Sequence, residues 1–144
     1  MNASNAGTAS TDTCGWTNNI GEVKGEGHRV WVVPDGDLPP RGDGELEGHE
    51  SLIILNTNRE NAHILIDIYF TDRDPVLGIP YTVDGQRVLC IRLDKPIGPD
   101  SYRIPFGQYA LRIRSDVPVV VQFGRLDVRQ PNLAYYGTMA FPVA

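Results

Sequence analysis

Ser115-Asp-Val-Pro-Val-Val-Val-Gln-Phe-Gly-Arg-Leu-Asp-Val-Arg-Gln130 joins a β-branched run directly to a spaced row of charges. Side chains of an extended chain alternate between two faces, so Val117, Val119, Val121 and Phe123 share one of them. Arg125, Asp127 and Arg129 continue the same two-residue period as an ionic stripe. The stretch predicts a core strand that runs out into a polar site or an interface.

Other segments repeat the pattern. Ala62-His-Ile-Leu-Ile-Asp-Ile-Tyr-Phe70 places Ile64, Ile66, Ile68 and Phe70 on one face and His63, Asp67 and Tyr69 on the other, a half-buried strand. Further strands are predicted over residues 29–33, 50–56, 81–83, 86–93, 108–115, 117–123 and 135–141, separated by Gly, Pro, Asp and Asn clusters. No window carries a helical period, and the chain reads as all-β. Val83-Asp-Gly-Gln86 carries an Asp-Gly pair suited to a two-residue turn, which predicts a hairpin between adjacent antiparallel strands. Eleven prolines and fifteen glycines, mostly between the patterned segments, fit an antiparallel β-sandwich of jelly-roll type. No internal repeat suggests a propeller or solenoid.

A chain of 144 residues has room for one domain and one core. Its apolar fraction of 41% and charged fraction of 22% are ordinary for a soluble domain. Runs such as residues 52–55 are far too short to span a bilayer. Residues 1–27 mix Asn, Ser, Thr, Gly and Ala with no cationic start and no apolar stretch. They read as a polar tail without an export signal, which makes the cytoplasm the expected compartment. Cys14 and Cys90 are too few for a disulfide framework or a thiolate metal site, and Cys90 is expected to be a small buried hydrophobe.

The net charge is −5, and the cations are Arg except for Lys24 and Lys95. An acidic balance disfavours nucleic acid as a partner. Arg in place of Lys suits bidentate pairing with carboxylates at interfaces and ligand sites, and equally follows from genomic codon bias. Residues 52–55 and 88–91 are apolar on both faces. A small sandwich cannot bury all of that alone, which points to subunit contact.

His49-Glu50 lies between a loop and a strand and could be a ligand-binding or acid-base pair, but no second His follows at metalloprotease spacing. The Asp-rich stretch 35–44 puts Pro39 where a calcium loop needs a ligand, and reads as a rigid surface loop. Thr71-Asp-Arg-Asp-Pro75 gathers Asp72, Arg73 and Asp74 at a strand end, where sandwiches carry binding groups. Arg125, Asp127 and Arg129 either pair across an interface or line a cleft for an anionic or hydroxyl-rich ligand. Trp16, Trp31, Tyr69, Tyr109, Tyr135 and Tyr136 are expected to be mostly core. No nucleophile elbow, phosphate loop or activated Cys appears, so no enzyme and no cofactor are expected.

The stretch 115–130 resembles the C-terminal signature of the sensory rhodopsin transducer family. Similar blocks appear in order at Asp35-Gly-Asp-Leu-Pro-Pro40, Gly48-His-Glu-Ser-Leu-Ile-Ile-Leu-Asn56 and Asp67-Ile-Tyr-Phe-Thr-Asp-Arg-Asp-Pro75. Together they cover residues 30–144 and leave the first 27 outside. The resemblance implies a compact antiparallel sandwich over residues 28–144 in a cyclic homo-oligomer, typically a tetramer. It also implies one of two functions. A binding module for a small polar metabolite, such as a sugar, would gather His49, Glu50, Asp72, Arg73, Arg125 and Asp127 in a pocket and place Arg129 and Gln130 at an interface. A docking ring would instead present a flat face to a membrane rhodopsin.

Overall fold

The computed structural model describes residues 25–143. The expected polar tail, with Cys14 and Trp16, therefore falls almost wholly outside the described residues. Eight strands run in order: β1 His28–Leu38, β2 His49–Asn56, β3 Ala62–Phe70, β4 Val76–Val83, β5 Arg87–Arg92, β6 Gly107–Asp127, β7 Ala134–Met139 and β8 Phe141–Val143. Every pairing is antiparallel, and the described residues contain no helix.

β6 organises the domain. Residues 107–115 pair with β1 and β3 in a first sheet of order β4-β3-β6-β1-β8, and residues 120–127 pair with β2 and β7 in a second sheet, where β5 flanks β2. The two strands expected over 108–115 and 117–123 are thus one strand of 21 residues. Asp116 and Pro118 do not turn the chain. Pro118 lacks an N–H for a ladder and stands where β6 passes between the sheets, a position at which that loss is tolerated. Its carbonyl accepts from Asn58 Nδ2 at 2.8 Å, and Asp116 Oδ1 accepts the His63 N–H at 2.8 Å.

The two-residue alternation builds one core. Val119, Val121 and Phe123 from the second half of β6 meet Leu52 and Ile54 of β2, and Ile64, Ile66 and Ile68 of β3 join Leu111 and Ile113 from the first half. Each fully buried aliphatic side chain of this kind contributes about 1.5–3 kcal/mol.

Several expectations are corrected. Asp84-Gly85 is not a hairpin turn, because β4 belongs to the first sheet and β5 to the second. The segment crosses between sheets and is pinned from below by fully buried Asn56, whose Nδ2 donates to the carbonyls of Glu60, Val83 and Asp84. Gly85 is required there for space, since a Cβ would lie 1.9 Å from the Arg59 carbonyl oxygen. β1 continues through Pro34 to Leu38, so the first four residues of the expected loop 35–44 are strand; a register shift between Val33 and Gly36 absorbs the proline. The expected strand 135–141 is two, because Ala140 turns into the core and β8 changes sheet to pair with β1. Cys90 is exposed, on the face of β5 opposite Leu89 and Ile91. Trp31 and Tyr109 are core, whereas Tyr69, Tyr135 and Tyr136 are exposed.

Candidate functional site

Two buried carboxylates organise the polar interior. The first is Glu50, the second residue of β2, which registers opposite Arg125 of β6 and is fully buried. Glu50 Oε1 accepts from Arg125 Nε at 2.7 Å and from the Asp37 backbone N–H at 2.9 Å. Oε2 accepts from Tyr109 Oη at 2.5 Å. Gly36 makes this possible: it faces Tyr109, and a Cβ there would lie 2.6 Å from the ring. Burial raises the Tyr109 phenol far above its ordinary range, and the adjacent Glu50 charge and hydrogen bond raise it further, so the hydroxyl stays a donor. Arg125 also donates to the Asp35 carbonyl at 3.3 Å and lies 5.4 Å from the Tyr136 ring centroid. One carboxylate and one guanidinium balance, with every oxygen occupied.

The second carboxylate, Asp67, points away from the core of β3 and is nevertheless fully buried. Two arginines on β6 cover it. Its Oδ2 accepts from Arg112 Nε at 2.8 Å and Arg114 Nε at 3.1 Å, and its Oδ1 from Arg114 Nη2 at 2.9 Å and the Gly78 N–H at 2.8 Å. Burial alone pushes the Asp67 carboxyl up; the hydrogen bonds from Arg114, Gly78 and Arg112 outweigh it and hold the group below the usual carboxylate range. Here two guanidinium groups share one carboxylate, and the arginine side chains are 41% and 39% exposed. Arg112 also lies 5.8 Å from the Tyr69 ring centroid.

The expected site residues separate into three places. Glu50 and Arg125 meet directly. His49 adjoins them on β2, its Nδ1 2.8 Å from the Glu47 carbonyl. Asp72 and Arg73 form an exposed bidentate pair of 2.9 Å contacts after β3, with Arg73 over Phe70, apart from the Glu50–Arg125 contact. Asp127 pairs with Arg129 along its own strand end, and Gln130 is exposed just beyond. Asp67, Arg112 and Arg114 are absent from the expected set. The signal for them was an Arg-x-Arg at two-residue spacing that registers against a lone Asp on another strand, which only the pairing reveals.

Part of the remaining polar surface is also self-paired. Glu47 receives Lys95 at 2.7 Å and Arg41 at 2.9 Å, and these contacts, with the Lys95 hydrogen bond foremost, lower its carboxyl. A cleft of ≈ 450 Å³ opens between residues 33–35 and 136–141, floored by Phe123 and edged by Asp35, Tyr136 and Thr138. Among the described residues no group of three His, Cys, Asp or Glu side chains is placed to hold a metal ion, and no helix is long and apolar enough to cross a membrane.

The outer faces of the two sheets differ. On the second sheet, Val88, Leu55 and Val120 form one cross-strand row and Cys90, Ile53, Gln122 and Met139 the next, without a charge. Val88 is 62% exposed, Met139 48% and Leu55 40%. On the first sheet one row reads Pro80, Leu65, Arg114, Val30, Val143, and the next reads Asp67, Arg112, Val32, Phe141.

These features define a class: small antiparallel all-β domains in which one long strand shared by two sheets carries two paired carboxylate–guanidinium centres, one between the sheets and one on an outer face. Within that class, the chain belongs to the Anabaena sensory rhodopsin transducer family, whose sequence model matches residues 26–142. The crystal structure of Thermotoga maritima 1070 superposes with a TM-score of 0.72 at 35% identity, covering 82% of this chain and 97% of that one. The Anabaena sensory rhodopsin transducer superposes with a TM-score of 0.60 at 36% identity, covering 69% of this chain and 95% of that one. No curated protein matches the sequence.

Proposed function

We propose that this protein is a cytoplasmic, non-enzymatic signal-relay module that docks on a membrane photoreceptor of the microbial rhodopsin type. The observation that carries the reading is family membership together with 36% identity to the Anabaena sensory rhodopsin transducer. The architecture is consistent with it: both buried carboxylates are held by arginines, so the polar groups build a rigid body with broad sheet faces. In this reading the two sheets act as a β-sandwich protomer of a cyclic homo-oligomer, a tetramer, associating through the uncharged Leu55 and Ile53 rows on the outer face of the second sheet. Exposed Val88, Leu55 and Met139 would then leave water, each a favourable transfer.

Calorimetric titration against a sensory rhodopsin in nanodiscs, with the photocycle followed by flash absorbance, tests the relay. Saturable binding that alters photocycle decay supports it; neither binding nor a kinetic change refutes it. Light scattering tests the assembly, because Leu55→Asp in the uncharged rows should lower the measured mass, and an unchanged mass would remove that face from the interface.

A second reading, binding of a small polar metabolite such as a sugar, draws on the cleft beside Asp35 and Tyr136. A ligand at about 100 times its dissociation constant adds about 2.7 kcal/mol to the native state. A thermal-shift screen across sugars and sugar phosphates should therefore show a dose-dependent rise in Tm, and a flat result would discard this reading.

A further inference from the structure

We propose that the outer face of the first sheet, centred on Arg112 and Arg114, is the docking site for an acidic, otherwise apolar segment of a partner protein. Identification of that partner as the photoreceptor rests on the relay reading; the surface chemistry does not. Asp67 neutralises one of the two guanidinium groups and leaves one positive charge in a chain of net charge −5. Both arginines are partly exposed, and Asp67, itself held by the Gly78 N–H of β4, fixes their planes. Each presents Asp67 with its Nε and Nη2 atoms, so neither Nη1 takes part in those contacts. A fixed guanidinium plane with a free edge matches an incoming carboxylate, whose charge-assisted hydrogen bonds are the strong kind. The frame around them is apolar: Leu65 is 38% exposed, Phe141 60% and Val143 43%. The next carboxylate along the face, Asp116, stands at the end of the sheet and accepts the His63 N–H.

Charge selects the occupant. A second copy packed here by two-fold symmetry would bring like-charged arginine pairs together, whereas the second sheet offers rows with no charge to oppose. An anionic membrane would meet only this one excess charge while the remaining surface of an acidic protein repels it. An extended segment whose sheet-facing side, every second residue, carries both apolar and acidic side chains satisfies the apolar rows and the arginines together.

The probe is a fluorescein-labelled Val/Glu peptide in which every second residue is Val or Glu in turn, with Ser between them, so that one face of the extended chain carries both; it is read by fluorescence anisotropy against its Val/Lys counterpart and against phosphatidylserine vesicles. Arg112→Gln and Arg114→Gln are informative variants because each leaves one guanidinium on Asp67, and their thermal unfolding reports that the fold persists. Expected is binding of the Val/Glu peptide alone, weakened about tenfold by either variant, as loss of one charge-assisted hydrogen bond implies, and unchanged by Leu55→Asp. No peptide binding, equal binding of both peptides, vesicle binding without peptide binding, or indifference to both folded variants would overturn the proposal. Rhodopsin binding undiminished in both variants would overturn the photoreceptor as the partner at this face while leaving the relay reading intact. Peptide binding through the arginines without rhodopsin binding would support the acidic docking site and count against the relay.

Discussion

Glu50 and Asp67 are both fully buried carboxylates held by arginines from β6, yet they sit in opposite settings. Glu50 lies inside, with one guanidinium, a phenol and a backbone N–H. Asp67 lies on the outside of its sheet and is buried only because Arg112 and Arg114 close over it. The difference lies in what burial costs. An ion pair deep in a protein sheds its hydration on both sides and is strongly destabilised when one partner is removed. A pair roofed by partly exposed arginines keeps some of its water and spreads the loss over two partners. One centre locks the two sheets together; the other carries surplus charge to a surface.

The sharpest way to break this comparison is to remove the single arginine of the inner centre. Arg125→Leu should cost about 3–5 kcal/mol, the range for an orphaned buried charge, measured by urea denaturation. A cost below about 1 kcal/mol would mean that Glu50 is already compensated by Tyr109 and Asp37. Next in size, Asp67→Asn should cost about 2 kcal/mol, because two arginines lose their counter-charge but remain hydrated. Arg112→Gln should cost less than about 1 kcal/mol, since Arg114 still holds Asp67; an equal cost for Arg112→Gln and Arg125→Leu would erase the distinction between the centres.

Acid should sharpen it further. The folded Asp67 carboxyl titrates below the ordinary value of about 3.9. Its contribution is therefore complete above that value and is lost as pH falls from there through the lower folded value. Stability against pH measured by urea melts should decline below about pH 4 less steeply in Asp67→Asn than in the parent. The smallest effect belongs to the exposed Asp72–Arg73 pair, where Asp72→Asn should leave the melting temperature within error.

Much of the strand pattern was legible because burial on one face imposes a two-residue period whatever the partner. Residues 50–56 and 62–70 read correctly to within a residue, and Glu50 and Arg125 stood out as charges terminating apolar runs. Asp67 did not, since an outward-facing Asp on a half-buried strand looks like ordinary solvated polarity until Arg112 and Arg114 are seen to cover it. Asp84-Gly85 misled for a related reason. Turn chemistry specifies a local bend, while the choice of which strands flank it depends on Asn56 and the Arg59 backbone, contacts made from another segment.

The amino-acid sequence by itself determined an all-β antiparallel chain, its core faces and its family, because side-chain alternation, turn residues and ordered motif blocks are local properties. Tertiary structure alone decided that β6 serves both sheets, that Glu50 is closed by one arginine and Asp67 by two, and that the central rows of one outer face carry no charge while those of the other carry two arginines on one carboxylate. Those outcomes depend on register between strands distant in the chain, and a shift of one residue would turn every one of these side chains to the opposite face.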